Sequence, residues 1–301
     1  MSLAPVHPEA RRGTLAAVGA FTFWGLIPVY WKWLGHISPV ELIMHRAVWS
    51  LVFLLGVLKW QNQLGVIAQA FRSKRVLGYN AATGLLLMLN WLTFIWAVNN
   101  GHILDSSLGY FLVPLINVAA GFIFFHERPR PLQWVAIALA AAGVAWLLAR
   151  VDHVPWVSFI IAVTWSGYGL IRKKSPMGAL DGLTVETLLF LPLTAGYLIW
   201  LAAHHQGALG HVSMRDHVLI FCSGWITAIP LVWFAYGARR IRLTTLGLLQ
   251  YIGPSLAFLL GWLVYHEAFD GARVVAFGLI WTGLACYSAD SFWVHRKSML
   301  G

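Results

Sequence analysis

Residues 104–130 read LDSSLGYFLVPLINVAAGFIFFHERPR, a long apolar run that ends in a short basic segment. A helix that crosses a bilayer needs about 20 mostly apolar residues, and residues 104–125 reach that length. Similar apolar runs, separated by short segments that carry lysine and arginine, continue in both directions along the chain. This pattern predicts an all-α membrane protein whose helices cross the bilayer repeatedly.

The composition supports the same prediction. Of the 301 residues, 59% are hydrophobic and 11% are charged, whereas soluble proteins carry about 25% charged residues. Most of the surface, and not only the core, must therefore face an apolar medium, and a lipid bilayer is the expected partner. The net charge of +10 comes from basic clusters between apolar runs. Such clusters are typical of loops at a membrane face and do not indicate nucleic-acid binding.

The apolar runs predict ten transmembrane helices in two halves of five, residues 1–150 and residues 151–301. No segment between the runs is long enough or polar enough to form a separate soluble domain. The predicted spans are residues 14–34, 40–58, 76–98, 104–125, 132–149, 154–171, 183–203, 217–238, 243–264 and 273–290.

The distribution of basic residues predicts the orientation in the membrane, because cytoplasmic loops are enriched in lysine and arginine. If the N-terminus is cytoplasmic, 16 of the 21 lysines and arginines fall in inner loops or tails. The exceptions are Lys32, Arg150, Arg215 and Arg273 in outer loops, and Arg46 within a span. Both termini are therefore expected in the cytoplasm.

The two halves carry matching motifs, which predicts an internal repeat. Each half holds an odd number of predicted helices, so the second half would insert upside down, as in the inverted repeats of many secondary transporters. Chance similarity between apolar sequences is the alternative. Pro114, Gly121 and His126-Glu127 recur as Pro254, Gly261 and His266-Glu267 at a constant spacing of 140 residues, SLGYF at 107–111 recurs as TLGLL at 245–249, and Trp24 and Glu41 match Trp165 and Glu186.

Three ionisable residues lie near the start of the second span, where charge is costly and often functional. Glu41 and His45 are four residues apart and share one helix face. Arg46 projects to a neighbouring face, about 10 Å along the helix from its outer end. We interpret the three as a candidate solute-binding or gating cluster, and an internal structural pair near the interface is the alternative.

Glu186 is predicted near the inner end of its helix, whereas Glu41 is predicted near the outer end of its own. The two acids therefore cannot form one dyad at the middle of the membrane. We interpret them as paired gates at the two ends of a pathway. Proton coupling through Glu41, His45 or Glu186 is one hypothesis, and uncoupled exchange is the other.

Uncharged polar and aromatic residues inside the spans complete the candidate solute-binding or gating set. A central polar cavity would satisfy their hydrogen bonds, and direct bonding between helices is the alternative. Pro114 and Pro254, at matched positions of the two halves, predict helix breaks that free backbone groups. The remaining members of the set are Asn90, Trp91, Asn99, Tyr110, Asn117, Tyr168, Gln250 and Tyr251.

The sequence contains no GxxxxGK[ST] phosphate loop, no zinc-binding spacing and no nucleophile elbow. Cys222 and Cys286, the two cysteines, give no disulfide framework. We therefore expect no cofactor, no metal and no enzymatic activity.

Four motifs resemble those of the EamA-type permeases of the drug/metabolite transporter superfamily, and the resemblance extends from about residue 13 to residue 290. It implies ten helices in two inverted five-helix repeats, a bacterial inner membrane and a permease. It carries over no site residues. The motifs are HRAVWS at 45–50, NW at 90–91 with FIWAVNN at 94–100, SLGYF at 107–111, and LG at 246–247 with QYIGP at 250–254.

These observations together predict a secondary transporter that exports a small metabolite or drug by alternating access. An amino-acid exporter of the same superfamily is the nearest alternative. An intramembrane enzyme or a non-transporting sensor is a more distant one, because neither a catalytic set nor an output domain is evident in the sequence.

Overall fold

The computed structural model of the chain describes residues 8–100, 102–264 and 271–300, with some side chains near these limits left undescribed. Every regular element in these ranges is helical. The helices are α1 (Pro8–Leu26), α2 (Pro28–Trp33), α3 (Pro39–Trp60), α4 (Gly65–Arg72), α5 (Lys74–Asn99), α6 (Ile103–Phe125), α7 (Pro131–Leu148), α8 (Trp156–Lys174), α9 (Ala179–Ala203), α10 (Met214–Ala238), α11 (Leu243–Leu249), α12 (Ile252–Leu263) and α13 (Gly271–Leu300).

Nine stretches among the described residues are long and apolar enough to cross a membrane. An all-helical membrane protein is thereby confirmed, and the predicted count of ten spans is supported only roughly. The sixth predicted span corresponds to α8, which is not among the nine. Its last turn carries Arg172, Lys173 and Lys174, and these charges lower its apolar character. Because α8 packs against α5 and α6, it needs less lipid-facing surface than its neighbours.

Two predicted spans are each broken into two helices, and each break precedes a proline. Residues 14–34 fall in α1 and α2, which part at Ile27 before Pro28. Residues 243–264 fall in α11 and α12, which part at Gln250 and Tyr251, with Pro254 in the first turn of α12. A proline lacks the N–H that would bond the carbonyl four residues back. The Gln250 carbonyl accepts instead from the Gly253 N–H at 3.3 Å.

Pro114 differs from its repeat partner Pro254. It lies inside the uninterrupted helix α6, so the helix break predicted at Pro114 is not seen. Proline is tolerated within a membrane helix where neighbouring groups satisfy the freed backbone. A Cβ atom on Gly247 would lie 2.7 Å from the Pro114 carbonyl oxygen, so α11 packs directly against α6 at this point.

The last helices of the two halves, α7 and α13, pack through a reciprocal pair of close contacts. A Cβ atom on Gly143 would lie 2.8 Å from the Ala276 carbonyl oxygen, and one on Gly283 would lie 2.7 Å from that of Ala136. Residues 143 and 283, and likewise 136 and 276, are 140 positions apart, the spacing of the sequence repeat. A contact that repeats itself reciprocally is what a two-fold relation produces, and it supports the predicted inverted repeat.

Large apolar side chains also cover the outside of the bundle, where a soluble protein would place charge. These side chains suit contact with lipid. Examples that are about half exposed or more are Leu15, Phe122, Ile123, Trp200 and Phe221.

Polar contacts divide the ends of the bundle into two faces. We call the end formed by residues 126–130, 174–178 and 239–242 the basic face, because it carries most of the loop arginines and lysines. Residues 34–38, 149–155 and 204–213 form the other end, called here the opposite face.

Candidate functional site

A cavity of about 690 Å³ lies between the two halves of the chain. It reaches the exposed side chains Arg150 and Arg273 at the opposite face. Six residues of the predicted set line it: Arg46, Asn90, Trp91, Tyr110, Gln250 and Pro254. The structure thus brings part of the predicted set into one chamber and leaves the rest outside it.

Arg46 is the most deeply placed charge in the cavity wall. It follows Pro39 by seven residues, so it lies about 10 Å from the start of α3. Its guanidinium carbon is 4.2 Å from the ring centroid of Trp91 and 5.8 Å from that of Trp31. Its Nε atom is buried without a hydrogen-bond partner. Within the described residues, no carboxylate lies within ion-pair distance of Arg46.

Two tryptophans form the floor of the cavity. The rings of Trp24 and Trp165, which are repeat partners, meet edge to face with centroids 5.3 Å apart. Trp165 follows the start of α8 by nine residues, about 14 Å along the helix, and so lies near its middle. Phe234 packs against both rings, at 5.8 and 5.2 Å. We interpret this aromatic cluster as the floor of the cavity on the side of the basic face.

The amide residues mainly hold helices together. Asn90 donates to the Ile161 carbonyl and to the Thr164 hydroxyl, both at 3.0 Å. Asn117 donates to the side-chain oxygen of Gln250 at 3.1 Å. Asn117 lies behind the cavity wall, whereas Asn90 and Gln250 also line it. Asn117 therefore only bonds between helices. Asn90 and Gln250 both bond between helices and line the cavity.

Tyr251 and Asn99 are not part of the cavity lining. Tyr251 is fully buried and donates to the Phe111 carbonyl at 3.2 Å, which ties the α11–α12 break to α6. Asn99 ends α5, and its side chain lies outside the described residues.

Glu186 lies below the aromatic floor, towards the basic face. Its carboxylate accepts a hydrogen bond from Thr83 and forms an ion pair with Arg172, 3.3 Å from Nη1 to Oε1. The Tyr168 hydroxyl lies 3.5 Å from the other carboxylate oxygen. The ring of Tyr168 stacks on Trp165 with centroids 5.6 Å apart. Tyr168 thus connects the cavity floor to the buried ion pair.

Glu127 forms a second closure at the basic face. It accepts from the backbone N–H groups of Leu243 and Thr244 at 2.7 and 2.9 Å, and from the Thr244 hydroxyl at 2.8 Å. A carboxylate at the start of α11 compensates the unpaired N–H groups there. The Lys173 Nζ atom lies 3.8 Å from the Glu127 Oε1 atom and donates to the Ile241 carbonyl. These contacts join the two halves of the chain.

Glu41 and His45 lie at the opposite face, in a wall outside the cavity lining. Glu41 accepts from the Ala208 N–H at 2.6 Å and lies 3.4 Å from the His45 Nε2 atom. Both side chains are buried. The structure therefore places Glu41 and Glu186 at opposite ends of the bundle, as their positions in the sequence predict.

The sequence interpretation missed several of these contact residues. Arg172 and Lys173 counted only as loop charges, and Glu127 only as part of a repeated dipeptide. The useful signal was present: Glu127 belongs to a motif that recurs as His266-Glu267, whose second copy lies outside the described residues.

A histidine–aspartate cluster at the opposite face was also missed, because His102 and Asp105 at the start of α6 are far along the chain from His153 in the α7–α8 loop. Asp105 lies 3.0 Å from the His102 ring and 2.7 Å from the His153 ring. Their donor atoms all lie within 4.8 Å of one another, which is close enough to hold a metal ion. The cluster joins the α5–α6 loop to the α7–α8 loop.

Comparison with known proteins places this arrangement in a family. The pattern of the EamA-like transporter family matches residues 11–149. An uncharacterized transporter of Vibrio cholerae is 42% identical over 294 residues, 96% of either chain. The chain belongs to the EamA-like transporter family. This EamA-like protein is therefore a multi-pass membrane transporter of the drug/metabolite superfamily, and the resemblance seen in the sequence motifs is confirmed.

Other relatives of this EamA-like transporter carry the name RarD. Protein RarD of Streptomyces exfoliatus is 40% identical over 96% of this chain and 92% of its own length. Protein RarD of Escherichia coli is 36% identical over 96% and 98%. A solved crystal structure superposes with a TM-score of 0.69 over 91% of this chain and 96% of its own, at 20% identity. That similarity supports the fold alone.

Proposed function

We propose that the chain is a secondary transporter that exports a small metabolite or drug across the bacterial inner membrane by alternating access. The proposal depends chiefly on one observation: a cavity of about 690 Å³, lined by both halves, reaches the opposite face and ends at an aromatic floor. A binding site at the interface of two repeats is the usual arrangement in secondary transporters.

The contacts at the basic face give this proposal a gate. Glu186 with Arg172, and Glu127 with the start of α11, close the bundle below the floor. In the alternating-access cycle, these contacts separate while the opposite face closes around the solute. Glu41, which bonds the 204–213 loop through Ala208, is the candidate gate at the opposite face.

Orientation follows from charge. The basic face carries most of the loop arginines and lysines, so the positive-inside rule assigns it to the cytoplasm. On that assignment, we take the cavity to face outward. In an exporter, the outward-facing state is the one that releases the solute to the outside.

Efflux from proteoliposomes tests the proposal. Vesicles loaded with a mixture of small metabolites, drugs and amino acids should lose specific solutes faster than protein-free vesicles. Ala257→Trp, which fills the cavity lined by Ala257, should abolish the loss. Ala289→Trp, on the exposed side of α13, serves as the matched control and should retain it.

The outcomes separate the alternatives. Loss restricted to amino acids would favour the amino-acid exporter over a broader metabolite or drug exporter. Loss that depends on an imposed pH gradient would favour proton coupling over uncoupled exchange. Retention of every solute at the protein-free rate would contradict transport altogether.

A further inference from the structure

We propose that the transported solute carries an oxyanionic group, a carboxylate or a phosphate, on an apolar or aromatic body, and that Arg46 binds this group. The inference rests on the proposed transport function, since it takes the cavity as the place where the solute binds. It adds the chemical class of the solute.

The charge of the cavity lining is one-sided. Its described residues include the cations Arg46, Arg150 and Arg273 and no aspartate or glutamate. A concave site with low-dielectric walls and one sign of charge concentrates ions of the other sign. The lining therefore favours anions over cations.

Among the described residues, Arg46 has no carboxylate partner of the kind that a charge at this depth requires. A buried ion loses much of its hydration, and cation–π contacts such as those with Trp91 and Trp31 return only part of that loss. Its Nε atom has no hydrogen-bond partner in the described structure. A planar guanidinium binds a carboxylate or phosphate through two parallel hydrogen bonds. An anionic solute would supply the missing charge and the missing acceptors.

The comparison with Glu186 and Arg172 strengthens this interpretation. Arg172 is also deeply buried, and it has a carboxylate partner within the chain at 3.3 Å. Arg46 lines a large cavity and has none among the described residues. Arg172 is thus neutralised within the chain, whereas Arg46 faces the cavity.

The rest of the wall specifies the body of the solute. Trp24, Trp31, Trp91 and Trp165 line the cavity with Tyr110, so flat apolar groups can stack there. A zwitterionic amino acid would bring an ammonium group for which the described lining offers no carboxylate. An anion with an aromatic body therefore fits the site better than a zwitterion.

Calorimetric titration of the full chain in nanodiscs tests the inference. Five probes of similar size differ in charge: indole-3-acetate, 1-naphthyl phosphate, indole-3-acetamide, tryptamine and tryptophan. At least one of the two anions should bind about 10- to 100-fold more tightly than the neutral amide, as expected for a charge-assisted hydrogen bond. The ratio of the two anions distinguishes carboxylate from phosphate recognition.

Variants then assign the effect to Arg46. Arg46→Gln should remove the preference for the anion over the amide, and Arg46→Lys should retain part of it. Arg215→Gln is the matched control, because Arg215 also contacts a tryptophan at the opposite face, with its guanidinium carbon 5.8 Å from the Trp33 ring, but lies outside the cavity lining. It should change each Kd less than twofold.

Several outcomes would overturn the inference. They are equal binding of amide and anions, tighter binding of tryptamine or tryptophan, binding of none of the five probes, or an unchanged anion preference in Arg46→Gln. The ranking of the five probes by affinity for the wild-type protein tests the inference even if a variant fails to fold. Efflux of neutral solutes without anion preference would refute this inference and leave transport intact. Anion binding without efflux of any solute would refute transport and leave only the binding of an anion by Arg46.

Discussion

Arg172 of α8 and Glu186 of α9 form an ion pair in which the side chains are only 1% and 2% exposed. Few arrangements tolerate charge at such depth, and here Thr83 and Tyr168 also bond the carboxylate. The pair lies directly below the aromatic floor of the cavity. Its integrity therefore affects both the stability of the bundle and the closure of the basic face.

Glu186→Gln should lower the stability of the protein markedly. The change leaves the Arg172 charge buried without a counter-charge, which typically costs about 3–5 kcal/mol. Thermal unfolding in detergent measures the effect. Asp290→Asn is the control, because its pair with Arg130 is partly exposed and should contribute about 1 kcal/mol or less. Equal effects of the two changes would argue against a special role for the buried pair.

The same substitution should open the basic face to small reagents. Thr227 lines the large cavity and also a small one of about 50 Å³ beside Glu186. In a background with Cys222 and Cys286 replaced by serine, Thr227→Cys should react with an impermeant maleimide from the opposite face only. Adding Glu186→Gln should create reactivity from the basic face. Labelling from the basic face without that change would mean that no closure exists there.

Glu41→Gln and Glu186→Gln should impair opposite steps of the transport cycle, because the two acids lie at opposite ends of the bundle. Glu41→Gln removes the charge that bonds the Ala208 N–H and should slow the step that needs the opposite face closed. Glu186→Gln should slow the step that needs the basic face closed. Separate measurement of solute entry and release in oriented vesicles distinguishes them. Unchanged rates of solute entry and release in both variants would exclude paired gates.

Gly143→Ala and Gly283→Ala should destabilise the protein by similar amounts, about 1–3 kcal/mol each, because each new methyl group meets a carbonyl oxygen across the α7–α13 contact. Gly278→Ala, with nothing within 4 Å of its Cβ position, should have no effect or a slightly stabilising one. Thermal unfolding gives all three values. Strongly unequal effects of the first two would contradict the two-fold relation.

Cysteine labelling in intact cells tests the orientation. Lys74→Cys and Arg128→Cys should both be protected from an impermeant reagent, since both positions are assigned to the cytoplasm. Arg215→Cys should react. Finding Lys74 and Arg128 on different sides of the membrane would invalidate the assignment of the spans between them.

The site was partly predictable from the sequence. The sequence marked Arg46 as a solute-binding, gating or structural charge, and Asn90, Trp91, Tyr110 and Gln250 as residues of a cavity or of contacts between helices; all five line the cavity. Their signal was local: polar groups within apolar spans need partners, so their presence marks an internal space. Asn117 carried the same signal and bonds another helix instead, because a sequence does not reveal what lies across from a side chain.

The closures at the basic face could not be predicted in this way. Arg172 pairs with Glu186, fourteen positions along the chain, and Glu127 bonds the start of α11 more than a hundred positions away. Both are charges near helix ends, where the sequence indicates ordinary loop residues. The packing of one half against the other brings Glu127 to the start of α11, and the fold within the second half brings Arg172 to Glu186.

Apolar runs and the basic segments between them determined, without any structure, that this chain is a bundle of membrane helices, since the bilayer imposes length and composition on each span separately. The tertiary structure alone decided which charges are paired. It neutralises Arg172 with Glu186 and leaves Arg46 facing the cavity, because pairing depends on distances between helices that the one-dimensional pattern does not contain.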